Sequence, residues 1–492
     1  MSVNRNILAN YVSQFYVTLI GILMVPLYIK YLGAESYGLV GFFGVMQACF
    51  QLLDMGLTPT MARETARFNG GAINANSLRS LLRAMEGIFV AGALFVASIT
   101  VSGADFIAEK WLQVDQLPLV EVRNAVVLMA GVVALRWVGG LYRGVISGFE
   151  RLVWLGGLNI AMATARFVLV IPFFIYVGAS PTQFFTYQLT LAFIEVIILI
   201  GKTYRLLPVM SDRKSISWEW APIRKVLRFS LTIAFASLVW ILVTQTDKLL
   251  LSRLLSLADY GYFTLAVMVA SGVMVIGGPI SVALLPRMTK LVSQGDSVGV
   301  IDLYRSATHI AGSVAIPVAL MLGLFPEQIL LVWTGDFAIA QNAARVLSLY
   351  ALGNAILTLA GFPYYLQCAK GDLKLHVVGS FMFVFLFVPI LIWATLQFGA
   401  VGAGYAWITT NIVYIVLWVP RIHKRLEGDL LKGWFVEDVL KFNVRSMSFL
   451  CVVGAVIQIF HLWPGNRMMI GAQLFVVGAV AGLLSLSKFV KK

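Results

Sequence analysis

Residues 30–38 of the chain read Lys-Tyr-Leu-Gly-Ala-Glu-Ser-Tyr-Gly, and residues 253–261 read Arg-Leu-Leu-Ser-Leu-Ala-Asp-Tyr-Gly. Each stretch follows a long apolar segment and leads through a Tyr-Gly pair into the next one. The same offset along the chain aligns Arg67 with Lys290, each in the connection after the following apolar segment. This pattern predicts a parallel repeat of six helices, related by an axis along the membrane normal. The alternative is chance similarity between two glycine-containing turns.

The segments around these turns are long enough to cross a bilayer. Apolar stretches of about 18 residues or more recur along the whole chain, and each can span a hydrocarbon core of roughly 30 Å. Their number predicts an all-α polytopic membrane protein of about fourteen transmembrane helices, arranged as two six-helix lobes plus two C-terminal helices. The predicted spans are 8–29, 38–55, 82–102, 122–146, 153–177, 182–204, 228–249, 260–284, 306–325, 342–366, 376–396, 400–420, 443–461 and 468–487.

The longest polar connection falls near the middle of the chain and separates the two halves. It predicts an N-lobe at 1–205, a cytoplasmic linker at 206–227 and a C-lobe at 228–425. A cytoplasmic loop and the last two helices occupy 426–492.

Composition and charge support a membrane protein and exclude a soluble one. Hydrophobic residues make up 60% of the chain and charged residues 12%, where a soluble domain carries about 25% charged residues. The formal net charge of +14 follows the positive-inside rule if both termini are cytoplasmic. The predicted inner connections then hold about 28 of the 37 Lys and Arg residues. The basic excess therefore gives no support to a nucleic-acid partner.

Three arginines fall within predicted spans, where a charge is expensive unless it is paired or faces water. Arg136 and Arg166 are expected near mid-depth, and Arg143 lies two turns along the same helix from Arg136. A guanidinium matches phosphate oxygens in a two-point geometry, so these residues are candidates to receive a pyrophosphate group in a basic cleft. The alternatives are that Arg166 pairs with Glu195, Arg143 extends to the inner interface and Arg136 contacts helix carbonyls.

Catalytic and metal-binding signatures are not evident in the sequence. There is no P-loop, no Gly-x-Ser-x-Gly and no His-Glu-x-x-His motif. The three cysteines and four histidines are scattered without metal-ligand spacing. We therefore expect no enzyme activity, no cofactor and no metal. An enzyme alternative, a membrane glycosyltransferase, would require an essential acid such as Asp105 or Glu109 in the longest outer loop.

The motifs resemble those of the polysaccharide transporter family, the O-antigen and repeat-unit flippases of the multidrug/oligosaccharidyl-lipid/polysaccharide superfamily. The resemblance covers nearly the whole chain and is strongest over about the first 70 residues. The segments that carry it are 6–11 (Asn-Ile-Leu-Ala-Asn-Tyr), 26–38, 53–58 (Leu-Asp-Met-Gly-Leu-Thr), 63–67 (Arg-Glu-Thr-Ala-Arg), 246–252 and 285–290 (Leu-Pro-Arg-Met-Thr-Lys).

The resemblance implies a V-shaped, two-lobed bundle like those of MATE and MurJ transporters, in a bacterial inner membrane. It implies a cargo of undecaprenyl-pyrophosphate-linked oligosaccharide, moved from the cytoplasmic to the periplasmic leaflet. The expected partners are this lipid-linked cargo, membrane lipid, a polysaccharide polymerase and a chain-length regulator. A lipid II flippase and a multidrug or cation antiporter of the same superfamily are the alternative functions.

The resemblance also suggests roles for further polar residues in the spans. Family members use a cationic lumen and an ion gradient or the membrane potential, which makes Asp54, Glu86 and Asp247 the candidates for ion coupling. The amides of Asn10, Gln14 and Asn159 could contact sugar hydroxyls. They could equally form hydrogen bonds between helices.

Overall fold

The computed structural model describes residues 3–54, 56–208, 238, 241–275, 277–427, 430, 433–460 and 462–486. By its internal contacts the chain divides into two compact units, Met1–Gly261 and Tyr262–Lys492. Helices joined by short turns make up both units. The predicted cytoplasmic linker, 206–227, lies outside the described residues except for its first three positions.

The first unit holds the helices that position the candidate site. In chain order they are α1 (Val3–Leu32), α2 (Ala34–Leu53), α3 (Leu57–Asn69), α4 (Ala75–Ser102), the single turn α5 (Ala104–Phe106) with a π-helical turn at Ile107–Trp111, α6 (Leu119–Gly148), α7 (Leu152–Phe167), α8 (Val170–Tyr176), α9 (Pro181–Leu206), α10 (241–254) and the start of α11 (Leu257–Val275).

The second unit continues from α11 to the end of the chain. Its helices are α12 (Gly277–Ser293), α13 (Ser297–Leu324), α14 (Pro326–Thr334), α15 (Phe337–Lys370), α16 (Lys374–Val413) with a π-helical turn at Tyr414–Trp418, α17 (Val419–Leu426), a π-helical segment at Gly433–Lys441, α18 (Phe442–Ile459) and α19 (Arg467–Leu486).

The described residues do not confirm the predicted number of membrane-crossing helices. Within the described residues, ten helices are long and apolar enough to cross, or up to eleven if Gly433–Lys441 and Asn443–Ile459 form one bent span. One of the ten, Lys374–Leu426, contains two helices because the chain turns at Gly399 (φ 59°, ψ −140°). The predicted spans 38–55 and 228–249 are not among them, and the second begins outside the described residues. The count of fourteen is therefore not confirmed, whereas the all-helical multi-pass membrane fold is.

A proline divides the fifth predicted span into α7 and α8. Pro172 has no N–H to bond the carbonyl of Val168, and α7 ends at Phe167 immediately before this point. The carbonyls left at the end of α7 find other donors: the hydroxyl of Tyr28 bonds the carbonyl of Arg166 at 2.7 Å, and the hydroxyl of Tyr187 bonds that of Ala165 at 2.7 Å. These tyrosines fix the end of α7 between α1 and α9.

Three glycines on one face of α6 let the short helix α3 approach closely. They recur every fourth residue, at Gly140, Gly144 and Gly148. A Cβ atom at Gly144 would lie 2.7 Å from the carbonyl oxygen of Thr58, and one at Gly148 would lie 2.4 Å from that of Ala62. Such spacing is typical of closely packed membrane helices, and it ties α3 to the helix that carries two of the candidate arginines.

The two repeat turns lie against each other within the first unit. A Cβ atom at Gly38 would lie 2.1 Å from the carbonyl oxygen of Leu257, and one at Gly261 would lie 2.6 Å from that of Ala34. The offset that aligns the two repeat sequences also relates Gly38 to Gly261 and Ala34 to Leu257. The contact is therefore reciprocal: the glycine of each turn lies against the equivalent carbonyl of the other turn. Two turns that were similar only by chance would not be expected to make such a contact.

The connection at 107–118 is fastened to both repeat turns. The carboxylate of Glu35, at the start of α2, accepts hydrogen bonds of 2.7–3.1 Å from the backbone N–H groups of residues 115–117. On the other side, the N–H of Leu257 donates to the carbonyl of Gln113 at 2.8 Å. We call this connection the 107–118 strap.

In the second unit, a buried carboxylate anchors the segment Gly433–Lys441 onto α13. Asp438 is 1% exposed and accepts hydrogen bonds of 2.8 Å from Arg305 and His309. The indole N–H of Trp434 donates to the hydroxyl of Thr308 at 3.0 Å in the same contact. The last two helices, α18 and α19, then pack around Phe325 at the junction of α13 and α14.

Candidate functional site

The candidate site is a cluster of charged and amide side chains in the first unit. Arg136 and Arg143 project from α6, Arg166 from α7 and Glu195 from α9. Among the described residues, α6 and α9 form the most extensive helix pair, so the cluster lies against a well-packed support. All three predicted arginines therefore lie in one unit, on helices that pack against one another. We call this group of side chains the arginine cluster.

A common spacing aligns the contributing helices. Each of α6, α7 and α9 presents two polar residues seven positions apart, which is close to two helical turns and returns to the same face. The pairs are Arg136 with Arg143, Asn159 with Arg166, and Gln188 with Glu195. Arg136 and Gln188 meet at one level and Arg143 and Glu195 at the other, whereas Asn159 and Arg166 of α7 both contact the second level.

At one level, a single carboxylate joins two arginines. Oε1 of Glu195 accepts a hydrogen bond from Arg143, and Oε2 accepts one from Arg166. The side chain of Glu195 is 6% exposed, whereas those of Arg143 and Arg166 are 29% and 19% exposed. Arg143 also donates to Oδ1 of Asn159 at 2.5 Å. The acid is thus enclosed, and the two guanidinium groups stay partly open.

At the other level, Arg136 is held by neutral groups. It donates to the amide oxygens of Gln47 at 2.9 Å and Gln188 at 3.2 Å, and its guanidinium carbon lies 5.2 Å from the ring centre of Phe43. Its Nε is buried and, within the described part of the chain, has no hydrogen-bond partner. The amides position this charge without neutralising it.

The cluster carries more positive than negative charge. Three guanidinium groups face one carboxylate, which leaves an excess of two positive charges because arginine stays protonated in proteins. Partly open guanidinium groups of this kind can bind an anion through charge-assisted hydrogen bonds. Within the described residues, no group of three His, Cys, Asp or Glu side chains is placed to hold a metal ion.

The structure shows the contacts that each arginine makes. Arg166 pairs with Glu195, as one of the alternatives predicted. Arg143 pairs with the same acid, and its extension to the inner interface stays a prediction. Arg136 contacts side-chain amides, and the suggested bonds to helix carbonyls are not made within the described residues. These pairings are compatible with anion binding, because one carboxylate cannot neutralise three cations.

The three candidate sugar contacts are divided between two places. Asn159 belongs to the arginine cluster through its bond to Arg143. Asn10 and Gln14 are exposed on α1, and no hydrogen bond among the described residues joins either side chain to the cluster. Their contact with sugar stays a prediction.

The three ion-coupling candidates occupy separate environments. Asp54 accepts hydrogen bonds from the hydroxyl and the backbone N–H of Thr58, in the first turn of α3. Glu86, on α4, accepts hydrogen bonds from the hydroxyls of Tyr142 at 3.0 Å and Tyr204 at 2.9 Å. Asp247 is buried on α10 beside Lys248, 3.5 Å away.

Sequence reasoning suggested Glu195 only as a partner of Arg166 and did not single out Gln47 or Gln188 as site residues. All three were visible as polar residues in apolar spans. The signal that could have found Gln188 and Glu195 is the seven-residue spacing, which they share with the two arginines of α6. Gln47 lies alone on α2 and carries no comparable signal.

Comparisons with known proteins agree with this architecture. The sequence profile of the family described as "Polysaccharide biosynthesis protein" matches residues 3–292. No curated protein sequence matches the chain.

Solved structures share the fold at low sequence identity. A lipid II flippase MurJ in an inward closed conformation is 14% identical over 98% of this chain and 98% of that chain, with a TM-score of 0.72. An inward-facing multidrug resistance MATE family transporter of the MOP superfamily is 14% identical over 84% and 96%, with a TM-score of 0.68. A MOP superfamily transporter from Pyrococcus furiosus is 15% identical over 85% and 94%, with a TM-score of 0.54.

Proposed function

The chain belongs to the polysaccharide biosynthesis protein family, and we propose that it is a flippase for a lipid-linked oligosaccharide. The cargo is an undecaprenyl-pyrophosphate-linked repeat unit of an O-antigen or similar surface polysaccharide. The protein moves it from the cytoplasmic to the periplasmic leaflet of a bacterial inner membrane. Both termini are cytoplasmic, and a polysaccharide polymerase and its chain-length regulator act on the delivered cargo.

The observation that carries this proposal is the excess charge of the arginine cluster. Arg143 and Arg166 share one acid, Glu195, and Arg136 is held by neutral amides, inside a membrane protein where uncompensated charge is costly. A pyrophosphate esterified at both ends carries two negative charges, equal to the excess. Its oxygens accept the paired N–H groups that a guanidinium presents.

Transport follows from alternating access. The arginine cluster is exposed to one leaflet and then to the other, so that the pyrophosphate and the sugar cross while the polyprenyl tail remains in lipid. The arginine cluster replaces the hydration of the pyrophosphate during crossing. A membrane potential that is negative inside favours outward movement of negative charge by about 2.3 kcal/mol per charge per 100 mV.

The leaflet location of lipid-linked oligosaccharide, in cells with and without the protein, tests the proposal. Intact undecaprenyl-linked units should accumulate on the cytoplasmic face when the protein is missing, because synthesis continues while crossing stops. Unchanged lipid-linked pools together with altered sensitivity to cationic dyes would contradict the proposal and favour a cation exporter.

Lipid II export is the second candidate function. The structural likeness to a lipid II flippase covers nearly the whole chain, and lipid II would present the same pyrophosphate to the arginine cluster. Complementation separates the two functions. A repeat-unit flippase restores surface polysaccharide and does not replace a depleted lipid II flippase.

An enzyme function is the weakest alternative. Asp105, one of the two outer-loop acids that a glycosyltransferase could use, pairs with Arg123 on the surface. Replacing Asp105 and Glu109 together with Ala should leave surface polysaccharide unchanged. Loss of polymer from cells that still export the lipid-linked unit would instead support a glycosyltransferase.

A further inference from the structure

Two buried carboxylates in the first unit each bind two arginines, but in different settings. Glu64 pairs with Arg63 at 3.7 Å and with Arg67 at 2.9 Å, and all three residues lie on the short helix α3. Glu195 pairs with Arg143 and Arg166, which come from two other helices. The first arrangement stabilises one surface helix. The second holds together three helices that line the candidate site.

The two oxygens of Glu195 are used separately. Oε1 bonds Arg143 and Oε2 bonds Arg166, so one anion lies between two guanidinium groups from different helices. Two non-bridging oxygens of a phosphate group can accept the same pair of donors. Glu195 thus occupies the position in which a cargo phosphate would find its two best partners.

We propose that Glu195 is an internal counter-anion. It pairs with Arg143 and Arg166 in the empty site, and the pyrophosphate of the cargo replaces it as their partner. The inference rests on the proposed function and adds a positioning residue to it. Glu195 and the cargo compete for the same guanidinium groups. The carboxylate keeps the empty site closer to neutral, and the bound pyrophosphate displaces it.

Arg136 has a separate part in this exchange. Its partners are the amides of Gln47 and Gln188, so its charge is not cancelled by an acid among the described residues. An incoming anion meets Arg136 without displacing any charged group. It then reaches Arg143 and Arg166 only by replacing Glu195.

If Glu195 competes with pyrophosphate for Arg143 and Arg166, removing its carboxylate should increase the affinity for pyrophosphate. The probe is farnesyl pyrophosphate, added to the purified full-length protein in lipid nanodiscs, with affinity measured by intrinsic tryptophan fluorescence. Glu195→Gln should bind the probe at least about tenfold more tightly than wild type, because no internal anion remains to be displaced. Arg166→Ala should bind at least about tenfold more weakly.

The matched control is Glu64→Gln, which removes a carboxylate with the same burial and the same two-arginine pairing outside the cluster. Its affinity should equal that of the wild type. A purely structural role for Glu195 predicts weaker binding in Glu195→Gln, since two unpaired arginines would disturb the site. Equal or weaker binding in Glu195→Gln therefore overturns the inference.

A measurement on the wild type covers the case in which Glu195→Gln does not fold. Difference infrared spectra with and without the probe should show a carboxylate stretch that shifts as Glu195 loses its guanidinium partners. An unshifted carboxylate band in a protein that binds the probe overturns the inference. Failure of the proposed function looks different: neither the wild type nor Arg166→Ala would bind farnesyl pyrophosphate.

Discussion

Gly38 and Gly261 stand at equivalent positions of the two repeat turns, and each contacts the backbone of the other turn. A side chain on Gly38 would begin 2.1 Å from the carbonyl oxygen of Leu257, and one on Gly261 would begin 2.6 Å from that of Ala34. Neither distance leaves room for a Cβ atom. The packing of α2 against the start of α11 therefore depends on both glycines.

Gly38→Leu should separate these turns and lower stability. Overpacking of a tight contact costs about 1–3 kcal/mol, which should appear as a lower melting temperature of the purified protein in detergent. Gly44→Leu, on the same helix, is the control because a Cβ atom there meets nothing within 4 Å. Equal melting temperatures for the two variants would show that the contact between the turns does not support the fold.

Arg136→Ala and Arg166→Ala should each reduce transport while leaving membrane insertion intact. Removing a partner of a desolvated charged contact costs about 2–5 kcal/mol, or more than tenfold in affinity. Transport is measured as repeat units reaching the outer leaflet, per copy of inserted protein. Arg123→Ala is the control, since Arg123 pairs with Asp105 on the exposed surface. Parental transport in both cluster variants would refute the basic-site assignment.

Glu86→Gln should make transport insensitive to an imposed pH gradient. The carboxylate of Glu86 is held by the neutral hydroxyls of Tyr142 and Tyr204 and, among the described residues, forms no ion pair that would commit its charge to a structural role. The measurement is the transport rate in vesicles with and without the gradient. Glu64→Gln should behave like the wild type. A gradient response that persists in Glu86→Gln would move coupling to Asp247 or Asp54.

Glu35→Ala should loosen the 107–118 strap. The carboxylate of Glu35 bonds the backbone N–H groups of residues 115–117, and a hydrogen bond to a charged group contributes about 1.5–3 kcal/mol. Amide hydrogen exchange at these residues should quicken by at least about tenfold. The capping box formed by Ser180 and Gln183, at the start of α9, provides an internal reference that should not change. Unchanged exchange at 115–117 would show that other contacts hold the strap.

Elementary rules predicted the membrane helices and the charged residues among them. A long apolar segment has few alternatives to a membrane helix. The predicted spans therefore lie within a few residues of the observed bounds for α1, α4, α6 and α9. Arginine inside such a segment is expensive, which singled out Arg136 and Arg166.

Glu195 could be suggested from the sequence as a partner of Arg166, but the amide partners of Arg136 could not. Gln47 and Gln188 look like other amides in the spans, and only the packing of α2 and α9 against α6 brings them to Arg136. The same holds for Gly38, whose need for a glycine comes from a carbonyl more than two hundred residues away. Contacts of this kind depend on tertiary packing, which cannot be deduced from local sequence patterns.

The reciprocal contact of Gly38 and Gly261 also limits how such a chain can evolve. In a protein whose halves descend from a duplicated gene segment, most positions of the two copies are free to diverge. Here each copy supplies both the small residue and the carbonyl that the other copy needs. Because neither site has room for a Cβ atom, a bulkier residue in either turn requires a compensating change in the other, so the two turns constrain each other's sequence.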